Sequence, residues 1–320
     1  MLYLEFGTVL EIKLYIIQKA LTIWSITMNI QALYDEQTFT LTYVVFDEQT
    51  KDAVVIDPVL DYQPIGSKVE NASFNKVIDF LKQNELNLHY VLETHAHADH
   101  LSSSQLFKEI YPDVKIAISE HIREVQKTFK VIYNLSNHQT DGSQFDVLIK
   151  DNQSIQAGSL NIKTLPTSGH TPACLSYLIE DAVFTGDALF MPDYGTGRCD
   201  FPKGDATALY HSVHDVLYKL DDNTRVFVGH DYQPGGRELK FETTIKESKE
   251  SNKQLTMNTT KEEFVKMRET RDSGLAALKL LFPSIQVNIE AGHLPAAEDN
   301  EKHYLKIPLN LTFTPLSPNK

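Results

Sequence analysis

Four side chains that can bind a metal, His95, His97, Asp99 and His100, fall within a single stretch of six residues. The apolar run Tyr90-Val91-Leu92 just before them reads as a buried strand. The run Leu101-Ser102-Ser103-Ser104-Gln105-Leu106-Phe107 after them reads as a helix start with a serine cap. The ligands therefore sit on a strand-to-helix turn, where several side chains can converge on one point. His95 and His97 are two apart and project to the same side of an extended segment. Asp99 and His100 follow once the chain has turned, and face a position beside the first. Imidazole together with carboxylate suits zinc, iron or manganese better than calcium or magnesium.

Three further ligand candidates stand at strand ends in the second half of the chain. His170 lies in Ser168-Gly169-His170-Thr171-Pro172, Asp187 in Phe184-Thr185-Gly186-Asp187, and His230 in Val228-Gly229-His230-Asp231-Tyr232. Each follows a glycine, which lets backbone approach a crowded centre. Seven ligands are too many for one tetrahedral zinc. They suffice for two metals bridged by Asp187, or for one metal with supporting partners. His89, His121, His138, His211, His214, His293 and His303 lack such a setting and read as surface or packing residues.

Around these motifs the pattern is β-rich in two blocks. Phe39 to Phe46 and Ala53 to Pro58 read as a hairpin, and 67–84 as a helix with Val69, Phe74, Val77, Ile78 and Leu81 on one face. A strand at 115–118 and a helix over 121–132 follow. Strands are expected at 145–149, 160–165, 174–179 and 182–185. A helix over 206–220 capped by Asp205 comes next, then a strand at 225–228 and helices over 237–255 and 261–281. This order implies an α/β (α+β) fold of two sheets packed face to face and covered by helices.

A chain of 320 residues, 42% apolar and 23% charged, is ordinarily globular. Its net charge of −13 disfavours nucleic acid as a partner, because backbone recognition needs clustered Lys and Arg. Two cysteines, Cys174 and Cys199, make no disulfide framework, and a reducing cytoplasm is the compartment they fit. Residues 1–27 match neither a secretory signal nor a membrane span. They are read as an extension upstream of a natural start at Met28. Residues 28–320 are expected to form one domain, with no repeat or linker to divide it.

The run His95-x-His97-x-Asp99-His100, followed by Gly169-His170, Gly186-Asp187 and Gly229-His230, resembles the metallo-β-lactamase superfamily. That resemblance implies an αββα sandwich with a metal site at one edge of the sheets. Gly197-Arg198-Cys199-Asp200-Phe201, Gly204-Asp205-Ala206 and Gly229-His230-Asp231-Tyr232 are similar to persulfide dioxygenases. The C-terminal Phe282-Pro283-Ser284-Ile285-Gln286-Val287-Asn288-Ile289, with Tyr304-Leu305-Lys306-Ile307-Pro308, resembles the β-lactamase-hydrolase-like branch of that group.

The resemblance implies a single Fe(II) held by His95, His170 and Asp187, a two-His, one-carboxylate set. His97, Asp99, His100 and His230 become supporting partners or a second metal position. The implied reaction oxidises a low-molecular-weight persulfide, glutathione persulfide foremost, with O2 to sulfite and free thiol. Arg198, Lys203, Tyr232 and Arg237 are candidates to meet the carboxylates of the substrate. Cys199 is expected to shape the pocket wall and Cys174 to pack, neither acting as a catalyst. A homodimer is common among related proteins. The competing expectation is a thioester hydrolase of glyoxalase II type with two zincs, which the seven ligands also permit.

Overall fold

Along Thr40–Asp47 every residue is buried, and the two faces of the strand go to different places. Leu41, Tyr43 and Val45 enter a core shared with the second half of the chain. Val44 and Phe46 enter a core shared with helices. A strand buried on both sides loses the alternation of a half-exposed one and reads as a continuous apolar run. That burial requires a layer on each face, which the rest of the chain supplies.

The computed structural model describes residues 28–310. The N-terminal extension expected at 1–27 lies outside the described residues, as do residues 311–320. In chain order the strands of the first half are β1 Met28–Asp35, β2 Thr40–Asp47, β3 Asp52–Ile56, β4 Val59–Gln63, β5 Lys68–Glu70, β6 Asn87–Leu92, β7 Leu101–Ser102, β8 Lys115–Ser119 and β9 Val147–Ile149. Those of the second half are β10 Ser154–Ala157, β11 Leu160–Pro166, β12 Leu175–Ile179, β13 Ala182–Phe184, β14 Arg225–Phe227 and β15 Glu242–Thr244. The helices are α1 Ala72–Gln83, α2 Ser104–Ile110, α3 Ile122–Ile132, α4 Ala206–His211, α5 Ile245–Ser251, α6 Lys261–Asp272 and α7 Leu281–Asn288.

Two six-stranded sheets form, in the orders β1-β2-β3-β6-β8-β9 and β10-β11-β12-β13-β14-β15, beside a small sheet β5-β4-β7. Both large sheets are mixed: β3, β6, β8 and β9 run parallel to one another, as do β13 and β14, while the other pairings are antiparallel. Leu41, Tyr43, Ile56 and Leu92 of the first sheet share a core with Ile162, Leu175, Tyr177 and Phe184 of the second. Phe74, Val77, Ile78 and Leu81 of α1, Val125 and Phe129 of α3, and Ile285 of α7 cover the outer face of the first sheet. Leu209 of α4, Ile245 of α5 and Phe264 of α6 pack with the second. This is the expected helix-sheet-sheet-helix sandwich.

The structure corrects several boundaries. Val69 lies on β5 and is exposed; the helix expected over 67–84 starts only after Asn71. Leu101–Ser102 is a short strand paired with β4, and α2 begins at Ser104. Ser103 stands at its cap position without a side-chain capping bond. Of the helix expected over 237–255 only Ile245–Ser251 forms, because Glu242–Thr244 pairs with β14 as β15. The helix expected over 261–281 ends at Asp272, and α7 starts afresh at Leu281. The cap at Asp205 is as expected: its carboxylate accepts from the Thr207 and Ala208 amides. Among the described residues no helix is long and apolar enough to cross a membrane.

Candidate metal centre

The seven expected ligands come together where the ends of β6, β13 and β14 meet. The Leu175 amide donates to the Thr94 carbonyl at 2.9 Å, Leu41 to Gly229 at 2.9 Å, and Gly229 to Gly186 at 3.2 Å, joining the two sheets around the ligands. Gly186 has φ +49°, and a Cβ there would lie 2.6 Å from Thr94 Oγ1. This is the close backbone approach that the preceding glycine anticipates.

Two adjoining groups result. His95, His170 and Asp187 each bring one ligand atom within 4.8 Å of the others. His97, Asp99 and His100 do the same. The groups touch through His95 and His97, whose ring centroids are 4.1 Å apart. His230 bridges them, with Nε2 3.3 Å from Asp99 Oδ2 and 3.3 Å from Asp187 Oδ1.

Buried partners orient the rings. The Asp57 carboxylate accepts from the Thr94 amide and from the Thr94 hydroxyl, each at 2.7 Å. Having given its only proton to Asp57, Thr94 Oγ1 accepts from His95 Nδ1 at 3.0 Å. The Nε2 of His95 is thereby left bare. His170 Nδ1 donates to the Arg198 carbonyl at 2.6 Å, and His100 Nδ1 to the Leu101 carbonyl at 3.0 Å. His97 Nε2 lies 3.0 Å from Asp57 Oδ1 and 3.4 Å from Glu93 Oε2. Glu93 in turn accepts from the hydroxyls of Ser102 and Ser104.

His95 Nε2, His97 Nδ1 and His100 Nε2 are buried and hydrogen-bonded to nothing. A buried polar atom without a partner costs about 1–3 kcal/mol, so three in adjoining ligand groups fit bound metal, with the Nδ1 atoms of His95 and His100 held as metal-ligating imidazoles usually are.

The electrostatics favour ligand-ready forms at His95, His100 and Asp187, whereas neighbouring carboxylates favour a proton on His97 and His230. Burial, then the neighbouring His97, holds His95 well below the usual imidazole range, which keeps its lone pair available. His100 is lowered for the same two reasons. Burial opposes the charge of Asp187, yet His230 and His170 outweigh it and hold the carboxyl well below the usual carboxylate range. Burial likewise opposes the charge of His230, but Asp99 and Asp187 raise it to about 9.

The four substrate candidates do not come together. Arg198 lines a small cleft of about 50 Å³ with His170, Phe201, Pro202, Leu278 and Leu281, and grips Asp200 with two nitrogens. Lys203 is exposed on the surface, 3.7 Å from Glu124, and is not among the residues lining that cleft. Tyr232 stacks between Tyr194 and His230, at 4.7 and 5.5 Å between centroids. Arg237 is a correction: its guanidinium donates twice to Asp193, twice to Asp231 and once to the Glu238 carbonyl. That fills all five donors of an arginine, leaving none for a substrate carboxylate.

Both cysteines are free. Burial pushes the Cys174 thiol up to about 12, and that of Cys199 well above its ordinary value. Burial thus favours the neutral thiol at both. Asp57, Glu93 and Asn288 also serve the centre: in the sequence Asp57 closes a buried strand ahead of Pro58, Asn288 lies in the C-terminal run, and Glu93 carries no signal.

The chain belongs to the metallo-beta-lactamase superfamily, whose family model matches residues 36–230. Among its relatives, Glyoxylase B2 of Dictyostelium discoideum is 48% identical over 284 residues, 88% of this chain and 97% of that protein. A Beta-lactamase hydrolase-like protein of Agrobacterium fabrum is 42% identical over 283 residues, 88% of this chain and 65% of that protein. Human Persulfide dioxygenase ETHE1, mitochondrial, is 32% identical over 240 residues, 74% of this chain and 79% of that protein. The crystal structure of ETHE1 from Myxococcus xanthus superposes with a TM-score of 0.67 at 32% identity, covering 83% of this chain and 100% of that one.

Proposed function

We propose that this protein is an iron-dependent persulfide dioxygenase, which converts a persulfide, O2 and water to a thiol and sulfite. The observation that carries the reading is the group His95, His170 and Asp187, two imidazoles and one carboxylate within mutual reach. Such a set suits a non-haem Fe(II) centre with open positions. The relatives named persulfide dioxygenase and the ETHE1 structure support it. Bound there, Fe(II) would supply the redox chemistry that brings O2 and sulfur together.

The chain's own share is orientation. Asp57 and Thr94 fix the His95 ring, and the Arg198 carbonyl fixes His170. Phe201, Pro202, Leu278 and Leu281 give the cleft beside His170 an apolar wall, alongside the charged pair Arg198 and Asp200. Arg198 is the cation of that cleft and the candidate to meet the outer carboxylate of the substrate. A soluble cytoplasmic enzyme acting on glutathione persulfide, as a monomer or homodimer, is the setting proposed.

The second reading is a two-zinc thioester hydrolase. The completeness of the group His97, Asp99 and His100 favours it, as does the relative named Glyoxylase B2. Parallel assays separate the two. Iron-loaded protein is given glutathione persulfide in an oxygen electrode, and zinc-loaded protein is given a glutathione thioester. Oxygen uptake in the first vessel supports the dioxygenase; thioester cleavage without oxygen uptake overturns it.

A further inference from the structure

We propose that Asn288, on the C-terminal helix α7, is a positioning residue of the metal centre. Its helix lies outside the 36–230 segment that defines the superfamily match. The side chain is 4% exposed and all of its bonds go to one loop. Asn288 Nδ2 donates to the His97 carbonyl at 2.8 Å and to the His100 carbonyl at 2.8 Å, while Oδ1 accepts from the Ser102 amide at 2.8 Å.

Both amide protons of the asparagine are thereby used, and the two carbonyls it holds stand on either side of Asp99. The segment from His95 to His100 has no helix or strand of its own to satisfy its backbone. Its buried carbonyls need partners from elsewhere, and Asn288 supplies two of them. Three ligand side chains leave the clipped segment, so their aim depends on a bond made 191 residues away in sequence.

The rest of α7 is fixed to receive that load. Val287 packs with Leu60 and Leu101. Ile285 and Ile289 share a core with Ala96 and Ala98 on the metal loop itself. Gln126 of α3 donates to the Ile289 carbonyl at 3.0 Å, tying the end of the helix to the outer layer. At Gly292, with φ +89°, an added Cβ would stand 2.9 Å from the Ser102 carbonyl, so the turn after α7 also runs against the loop. Asn288 touches no expected ligand atom; it acts through the backbone that carries them.

The test compares Asn288→Ala with Gln286→Ala in the full chain, using Co(II) as probe. Gln286 is a buried amide of the same helix, but its side chain bonds the backbone of Lys306 and not the metal loop. Asn288→Ala is expected to weaken Co(II) affinity about 10–100-fold, the range for partners that orient metal ligands, and to shift the visible spectrum of the bound Co(II). Gln286→Ala is expected to keep wild-type affinity and spectrum. Wild-type affinity in Asn288→Ala, or an equal loss in Gln286→Ala, overturns the proposal. Should Asn288→Ala not fold, hydrogen exchange on the wild type decides. Loading with Co(II) is expected to slow exchange in 284–292 together with 95–103, with α1 unchanged. Slowing confined to 95–103 overturns the proposal. Co(II) binding involves neither reaction considered above, so a failed oxygenase assay leaves this test standing.

Discussion

The Asp57 carboxylate holds Thr94 twice, at the amide and at the hydroxyl, each at 2.7 Å. Through that hydroxyl it sets the proton on His95 Nδ1 and bares Nε2. Thr94→Val keeps the shape but removes the hydroxyl, and is expected to weaken metal binding about 10–100-fold. Thr94→Ser keeps the hydroxyl and is expected to stay close to wild type. A competition titration with Co(II) reads both; wild-type affinity in Thr94→Val would contradict the relay.

Metal count separates the two ligand groups. With one iron on His95, His170 and Asp187, His95→Ala is expected to lose the metal, whereas His100→Ala retains about one equivalent, having removed a ring from the neighbouring group only. Elemental analysis after anaerobic Fe(II) loading and desalting gives the numbers. Two equivalents in the wild type and one in each variant would instead mark a two-metal centre.

The His170 loop is tied to a helix cap. The Asp205 carboxylate accepts from two amides of α4, while its own amide donates to the Gly169 carbonyl at 2.8 Å. Asp205→Ala is expected to cost about 1 kcal/mol, lowering the thermal midpoint by about 2 °C in a chain of this size. Differential scanning calorimetry checks it, and an unchanged midpoint would show that the cap is dispensable.

Acid stability has an identifiable contributor at Asp52. Burial opposes its charge, but hydrogen bonds from His89, Ser159 and Thr50 outweigh burial and hold its carboxyl down to about 2. A folded-state value below that of the unfolded chain adds stability that is fully present above the unfolded pKa, about 3.9, and is lost as pH falls through the folded one. The stability gap between wild type and Asp52→Asn is therefore expected to shrink as pH falls from about 4 to about 2. Urea unfolding across that window measures it; a constant gap would contradict the assignment.

The gathering of His95, His97, Asp99, His100, His170, Asp187 and His230 in one place was legible because each lies in a loop that follows a strand, β6, β11, β13 or β14. The sandwich was legible from the two β-rich blocks of the sequence that carry those strands. Other features depend on tertiary partners that no local pattern reveals. Val69 left its expected helix because β5 found an edge on β4. Glu242–Thr244 left its helix because β14 offered a free edge. Arg237 looked like an available cation, yet Asp193, 44 positions earlier, and Asp231 consume it. Asn288 sat in a run whose resemblance was plain, but its bonds to the His97 and His100 carbonyls cannot be read from spacing.

The central claim is tested most directly by O2 uptake and sulfite release measured in one vessel, with Fe(II)-loaded protein and glutathione persulfide. The account predicts one sulfite formed per O2 consumed, with both signals lost in His170→Ala and in Asp187→Ala. Turnover of a glutathione thioester by the zinc-loaded protein, with no O2 consumed by the iron-loaded one, would contradict it and assign the centre to hydrolysis.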